Sequence, residues 1–215
     1  MLAAELRGPG DPKLLYPAEL EQVRRAVPKR VQEFAAGRLC ARRVLAEFKV
    51  FDFPVRMAED RQPVWPDNLT GSITHTSGFC AAVAAERRCL RALGLDTEVV
   101  GGIKAEIWRM LCVPDELAWI RSLPEPQQSA AVTLVFSAKE AFYKCQYPLT
   151  REQLDFHDVR VEAAWDERTW GEAAGSFKID AQRHGALGVQ AELPMQGRFL
   201  FHQEFVSAGI ALRAG

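Results

Sequence analysis

Residues 71–99, GSITHTSGFCAAVAAERRCLRALGLDTEV, contain three strand-like runs in succession: 71–75, 79–85 and 90–99. Their mixture of β-branched, aromatic and small apolar residues suits short paired strands. On the N-terminal side the spacing is helical. Leu20, Val23, Val27, Val31, Phe34, Leu39 and Leu45 recur at three- and four-residue steps, and Pro28 marks a helix start. The first ten residues, with Gly8, Pro9 and Gly10, read as a mobile lead-in. Between Phe51 and Pro66, the prolines at 54, 63 and 66 favour short extended pieces.

On the C-terminal side, residues 103–145 return to helix, with breaks expected at Pro114, Pro124 and Pro126. From Asp158 onward Val159/Val161, Phe177/Ile179, Val189/Ala191/Leu193 and Phe199/Phe201/Phe205, followed by Ile210/Leu212, alternate as half-buried strands do. Helices, strands, helices and strands in that order predict an α+β protein of two halves, 1–93 and 94–215, dividing at Gly94. No low-complexity linker separates them, so they are expected to pack as one unit. No sequence repeat is strong enough to relate them.

The 215 residues suffice to bury roughly 70% of the unfolded surface without a disulfide or metal staple. A formal net charge of −1 gives no global field to hold a long nucleic acid, so any anion site is a local cluster. Cys40, Cys80, Cys89, Cys112 and Cys145 form no CxxC pair; four lie in Ala- or Leu-rich surroundings and read as buried packing residues. The sequence shows neither a secretory leader nor the ~18 apolar residues that a membrane helix needs, and a cytoplasmic chain without a membrane partner is expected.

Four runs carry residues suited to chemistry. In Ala92-Leu93-Gly94-Leu95-Asp96-Thr97-Glu98, a strand puts Asp96 and Glu98 on one face, and Gly94 allows another backbone close by. Adjacent carboxylates repel, and a bound cation offsets that cost; a solvated strand edge is the alternative. In Phe136-Ser137-Ala138-Lys139-Glu140-Ala141-Phe142-Tyr143-Lys144, a helix lines up Leu134, Ala138, Ala141, Phe142 and Cys145 as a core stripe. Glu140 and Lys144, four apart, share a different face, either as a surface pair or as a third oxygen ligand with a phosphate-binding lysine. Gly71-Ser72-Ile73-Thr74-His75-Thr76-Ser77 offers hydroxyls, backbone N–H groups and a histidine to a phosphate or base edge. Lys29, Arg30, Arg38, Arg42 and Arg43, with Arg56 and Arg61 beside the proline-rich loop, are a site only if they converge.

These runs together resemble the surfactin-type and enterobactin-type phosphopantetheinyl transferases, most closely the EntD-like group of bacterial single-chain enzymes. The matching stretches are 33–42 (EFAAGRLCAR), 63–66 (PVWP) leading to 71–75 (GSITH), 93–98 (LGLDTE) and 136–144 (FSAKEAFYK). The resemblance implies two similar α+β halves packed as a pseudo-dimer in a monomer, with the coenzyme A adenosine side in 1–93 and the magnesium and pyrophosphate side in 94–215. It implies transfer of the 4′-phosphopantetheine arm of coenzyme A, a co-substrate, to a serine of an apo acyl or peptidyl carrier protein, releasing 3′,5′-ADP. Asp96, Glu98 and Glu140 are expected to hold Mg²⁺, with Mn²⁺ an alternative. Glu140 is expected to assist the serine proton, and Lys144 to meet the pyrophosphate with Lys139 as a second candidate. Arg38, Thr74 and His75 are expected at the adenosine end and its 3′-phosphate.

Two positions depart from the family pattern. Thr97 stands where an aliphatic residue is usual, and Gln62 stands where a lysine often precedes the proline, which passes the phosphate role to Arg61. The apolar segment from Ile107 to Arg121 is expected to dock the carrier in part; fatty-acid, polyketide and siderophore synthetase carriers all remain open. A metal-dependent nuclease is the main rival, but its usual pattern places the second acid two residues before the lysine, whereas Lys139 precedes Glu140 here. A non-catalytic coenzyme A- or carrier-binding module does not need three acids, and a Walker-type NTPase lacks its GxxxxGK[ST] loop.

Overall fold

The computed structural model describes residues 1–164, 174–182 and 194–215. They fall into two compact units, Met1–Leu93 with Leu212–Gly215, and Gly94–Ala211. The strand expected at Val189/Ala191/Leu193 lies outside the described residues.

The first unit contains β1 (Leu2–Arg7), α1 (Pro17–Val23), α2 (Pro28–Glu47), β2 (Leu69–Thr76) and β3 (Phe79–Glu86). Its sheet is antiparallel in the order β1-β3-β2. The lead-in expected to be mobile is therefore corrected: Leu2 to Arg7 pair with Ala84 to Phe79. Gly10 then lies against α2, where a Cβ would stand 2.1 Å from the Ala36 nitrogen. Local propensity gave no sign of this, because the strand is held by hydrogen bonds to residues more than seventy positions away.

Helix α2 starts at Pro28, whose missing N–H costs nothing in a first turn. Its inner face is built from small residues, Ala36, Cys40 and Ala41, which let the helix settle on Cys80, Ala82 and Ala84 of β3. Burial on both partners carries the hydrophobic stabilisation.

The second unit holds most of β4 (Leu90–Val99), then α3 (Trp108–Leu111), α4 (Pro114–Ser122), α5 (Glu125–Thr150), β5 (Val159–Ala164), β6 (Ala174–Ala181), β7 (Met195–His202) and most of β8 (Phe205–Arg213). The five-stranded sheet runs β4-β8-β7-β6-β5. Val159, Val161, Phe177, Ile179, Phe199 and Phe201 are buried, as their alternation requires. Phe205 opens the next strand rather than extending the Phe199/Phe201 one. Gly197 faces Phe177 across the sheet, where a Cβ would meet the ring at 2.0 Å.

Pro126 does not break α5, because it sits in the first turn, and the helix continues to Thr150 with Pro148 in its last turn. Leu134, Ala138, Ala141, Phe142 and Cys145 are all buried, which confirms the core stripe.

The two units repeat one internal plan that the sequence conceals. In each, proline opens a short helix (Pro17, Pro114) and a buried glutamate stands two residues on (Glu19, Glu116). One carboxylate oxygen accepts the helix-start N–H: Tyr16 N at 3.0 Å and Val113 N at 2.8 Å. The other accepts a distant backbone N–H: Val55 N at 2.8 Å and Val161 N at 2.6 Å. A cation from the corresponding turn of the long helix completes each node, Arg42 at 3.4 Å and Lys139 at 2.7 Å. The capping motif is general; the cation and the second N–H are tertiary.

Candidate active site

In the second unit β4 and α5 touch backbone to backbone. A Cβ on Gly94 would lie 1.7 Å from the Ala141 carbonyl oxygen, so only glycine permits this approach. The contact brings the strand's acids to the helix's Lys144. Its ammonium donates to Asp96 Oδ1 at 2.6 Å and to the Leu95 carbonyl at 3.4 Å. Asp96 is buried, whereas Lys144 and Glu98 are partly exposed.

Electrostatics tie the four groups together. Burial pulls the Lys144 pKa down, but Asp96, Glu140 and Glu98 outweigh it and hold the ammonium above its ordinary 10.5. Burial, with the charge of Asp96, pushes the Glu140 carboxyl up from 4.5, partly countered by Lys144. Among the described residues no three acidic, histidine or cysteine side chains converge tightly enough to hold a metal ion unaided. A magnesium site needs less from the protein: it commonly takes one or two carboxylates and completes its octahedron with substrate phosphates and water. The all-oxygen donor set fits that requirement.

Lys139 requires a correction. It is buried, and its three protons go to Glu116 Oε2 at 2.7 Å, the Leu111 carbonyl at 2.9 Å and the Phe156 carbonyl at 2.6 Å. A saturated ammonium has no donor left for a pyrophosphate. Leu111 is also buried, which removes it from the expected docking surface, whereas Ile107 and Met110 are exposed (41% and 69%). Trp108 is half-buried with its indole N–H on the Ile103 carbonyl. Beside Glu140 lies a cavity of about 190 Å³, lined by Phe142, Tyr143, Leu154, Phe156 and Val159 among others.

In the first unit, His75 lines another cavity of about 190 Å³ with Lys29, Gln32, Glu33, Thr76 and Ser77. Arg30 Nη1 stands 2.8 Å from His75 Nε2. Arginine can only donate, so Nε2 accepts. Thr74 is buried and lies on the opposite face of β2 from His75, so one ligand does not take both side chains. Arg38 is buried, its Nε donating to the Val55 carbonyl at 2.8 Å and its guanidinium 3.8 Å over the Phe34 ring. Burial lowers its pKa to about 10. An outside anion could meet only its η nitrogens. Arg61 is exposed at φ +71° in the tight turn closed by Ala58 N and the Gln62 carbonyl, and Gln62 is tied to Asp60 at 2.7 Å.

Sequence reasoning missed Glu19, Glu116 and the Arg30–His75 contact. The Pro-x-Glu start of a helix could have flagged both glutamates as capping residues; no local signal marks Arg30 as a partner of His75.

The family model for the 4′-phosphopantetheinyl transferase N-terminal domain matches residues 18–85, and that for the 4′-phosphopantetheinyl transferase superfamily matches residues 92–195. The chain is 37% identical over 181 residues to the 4′-phosphopantetheinyl transferase Svp of Streptomyces mobaraensis, covering 80% of this chain and 74% of that protein. It is 33% identical over 199 residues to PptT of Mycobacterium tuberculosis, covering 91% and 85%. Against enterobactin synthase component D of Salmonella typhimurium it is 36% identical over 135 residues, covering 61% and 54%. The chain belongs to the 4′-phosphopantetheinyl transferase superfamily.

Proposed function

We propose that this chain is a magnesium-dependent transferase that moves 4′-phosphopantetheine from coenzyme A to a serine of an apo carrier protein and releases 3′,5′-ADP. The transfer itself is the reaction of its family. The observation that carries the metal reading is the glycine contact between β4 and α5, which brings Asp96, on the strand that also carries Glu98, within 2.6 Å of Lys144 on the helix that carries Glu140.

Asp96, Glu98 and Glu140 would hold the ion. When bound, it would neutralise pyrophosphate charge and so stabilise the departing 3′,5′-ADP. Lys144 adds a cation to the same charge build-up, and its raised pKa keeps it protonated at neutral pH. Glu140, whose carboxyl pKa is raised above 4.5 chiefly by burial, is assigned as the proton acceptor. The largely apolar cavity beside it suits the uncharged pantetheine arm. In the first unit, we assign the adenosine end of coenzyme A to the His75 cavity; Arg61 and the Arg38 η nitrogens, which do not line it, are assigned as phosphate contacts on the family resemblance alone.

Mass spectrometry of an apo carrier incubated with coenzyme A and magnesium tests the reading. The carrier serine is expected to gain the phosphopantetheine mass. A chelator is expected to stop the gain and added magnesium to restore it. Asp96→Ala and Glu140→Ala are expected to lower the rate about 10²-fold or more while remaining folded. Full activity in chelator would remove the metal from the mechanism.

A further inference from the structure

Glu116 and Lys139 form a buried ion pair next to the site, and neither has a role in the chemistry above. Both Glu116 oxygens are used: Oε2 accepts from Val113 N at 2.8 Å and Lys139 Nζ at 2.7 Å, and Oε1 accepts from Val161 N at 2.6 Å. Lys139 spends its other protons on the carbonyls of Leu111 and Phe156. Four backbone groups thus meet on two side chains that are 2% and 3% exposed.

Such a pair is a poor way to gain stability alone, since well-packed apolar residues of similar volume often do as well or better. What it supplies is a fixed geometry. Lys139 is the residue immediately before Glu140, and Phe156 walls the cavity that Glu140 borders. The first unit offers an internal comparison. There the counterpart contact, Arg42 to Glu19, is longer at 3.4 Å, Arg42 is 23% exposed, and the residue after it is Arg43, which donates to the Glu5 carbonyl. The tight form of the node occurs where an acid follows the cation.

We infer that Glu116 and Lys139 act as one positioning unit for the transfer reaction, fixing the turn of α5 that carries Glu140 and the Phe156 wall beside it. This rests on the reading of Glu140 given above. Lys139 lines the same cavity, but its three protons are spent within the protein, so the pair acts through Glu140 rather than as a donor to substrate.

The experiment uses the full-length enzyme with Glu116→Gln, Lys139→Met and the apolar double variant E116L/K139M, each checked for folding by circular dichroism and melting. Magnesium activation and kcat are measured with coenzyme A and an apo carrier, and coenzyme A binding is measured by calorimetry without metal. Each single variant is expected to lower kcat about tenfold and to raise the magnesium concentration for half-activation several-fold, since small misplacements are costly. Metal-free coenzyme A affinity should stay within about twofold, and the double variant should lose no more than the worse single one, because the residues act as a unit.

A folded E116Q enzyme with normal kcat and magnesium response overturns the inference. So does a K139M enzyme that loses metal-free coenzyme A affinity while E116Q keeps it, which would make Lys139 a ligand contact. If E116Q does not fold, the double variant decides: folded with normal kcat, it overturns the inference; folded with kcat reduced, it supports it. Wild-type activity without magnesium, or an active Glu140→Gln enzyme, sinks the underlying site reading. With those controls in order, a normal E116Q enzyme removes only the positioning role.

Discussion

Gly94 and Ala141 are in direct backbone contact: a methyl group on Gly94 would sit 1.7 Å from the Ala141 carbonyl oxygen. Neither neighbour is a flexible side chain that can give way. Gly94→Ala is therefore expected to cost about 3 kcal/mol or more. That corresponds to a fall in Tm of roughly 6–12 °C for a chain of this size. Thermal melts check the stability, and the transfer assay should show activity falling in parallel, because the substitution separates β4 from α5.

Glu140 sets a pH dependence. Its folded pKa is raised above 4.5, chiefly by burial. The stability it contributes is therefore present below its unfolded pKa and is lost as pH rises through the folded one. Metal binding requires the carboxylate, so magnesium affinity should increase over that same rise and release a proton. Calorimetry in buffers of different ionisation enthalpy measures the proton release, and Glu140→Gln should abolish it. A magnesium affinity independent of pH above 4.5 would contradict this assignment.

Met110 and Ile107 are exposed, whereas Leu111 is buried, and these differences divide carrier docking from core packing. Replacing Met110 and Ile107 with serine should raise the carrier KM about tenfold or less, with coenzyme A KM and Tm nearly unchanged. Leu111→Ser should instead destabilise the protein by about 2–5 kcal/mol. Steady-state kinetics with varied carrier, read beside thermal melts, separates the two outcomes.

The five cysteines should differ sharply in reactivity. Cys89 is exposed, and the other four are buried. Burial, assisted by the charge of Glu116, pushes the Cys112 thiol up to about 12, so little thiolate exists at neutral pH. An aromatic disulfide reagent is expected to titrate a single fast thiol in the native enzyme and all five after denaturation. Peptide mapping should place the fast one at Cys89.

Strand β1 should matter to folding although its sequence is unremarkable. Removing residues 1–8 deletes the β3 partner and the packing of Ala4 and Leu6 on the core. A loss of about 2 kcal/mol or more is expected from the buried apolar area, with aggregation through the exposed β3 edge. Melts and light scattering test both; an unchanged Tm would show that the strand contributes nothing.

Local chemistry wrote much of this protein into its sequence. The Leu134-to-Cys145 stripe, the Val159/Val161 and Phe177/Ile179 alternations and the Pro28 helix start each depend on one periodicity, and each is read from neighbours in the chain. The shared face of Asp96 and Glu98, and the opposite faces of Thr74 and His75, follow from the same period of two, although the second was not drawn from it. What a periodicity does not carry is the identity of a distant partner. That Leu2–Arg7 pairs with β3, that Lys139 spends its protons on Glu116 and two carbonyls while Lys144 reaches Asp96, and that Gly94 meets Ala141 were decided by packing. A hydrogen bond across scores of residues leaves no local mark, because its free energy is realised only when both segments have already been brought together.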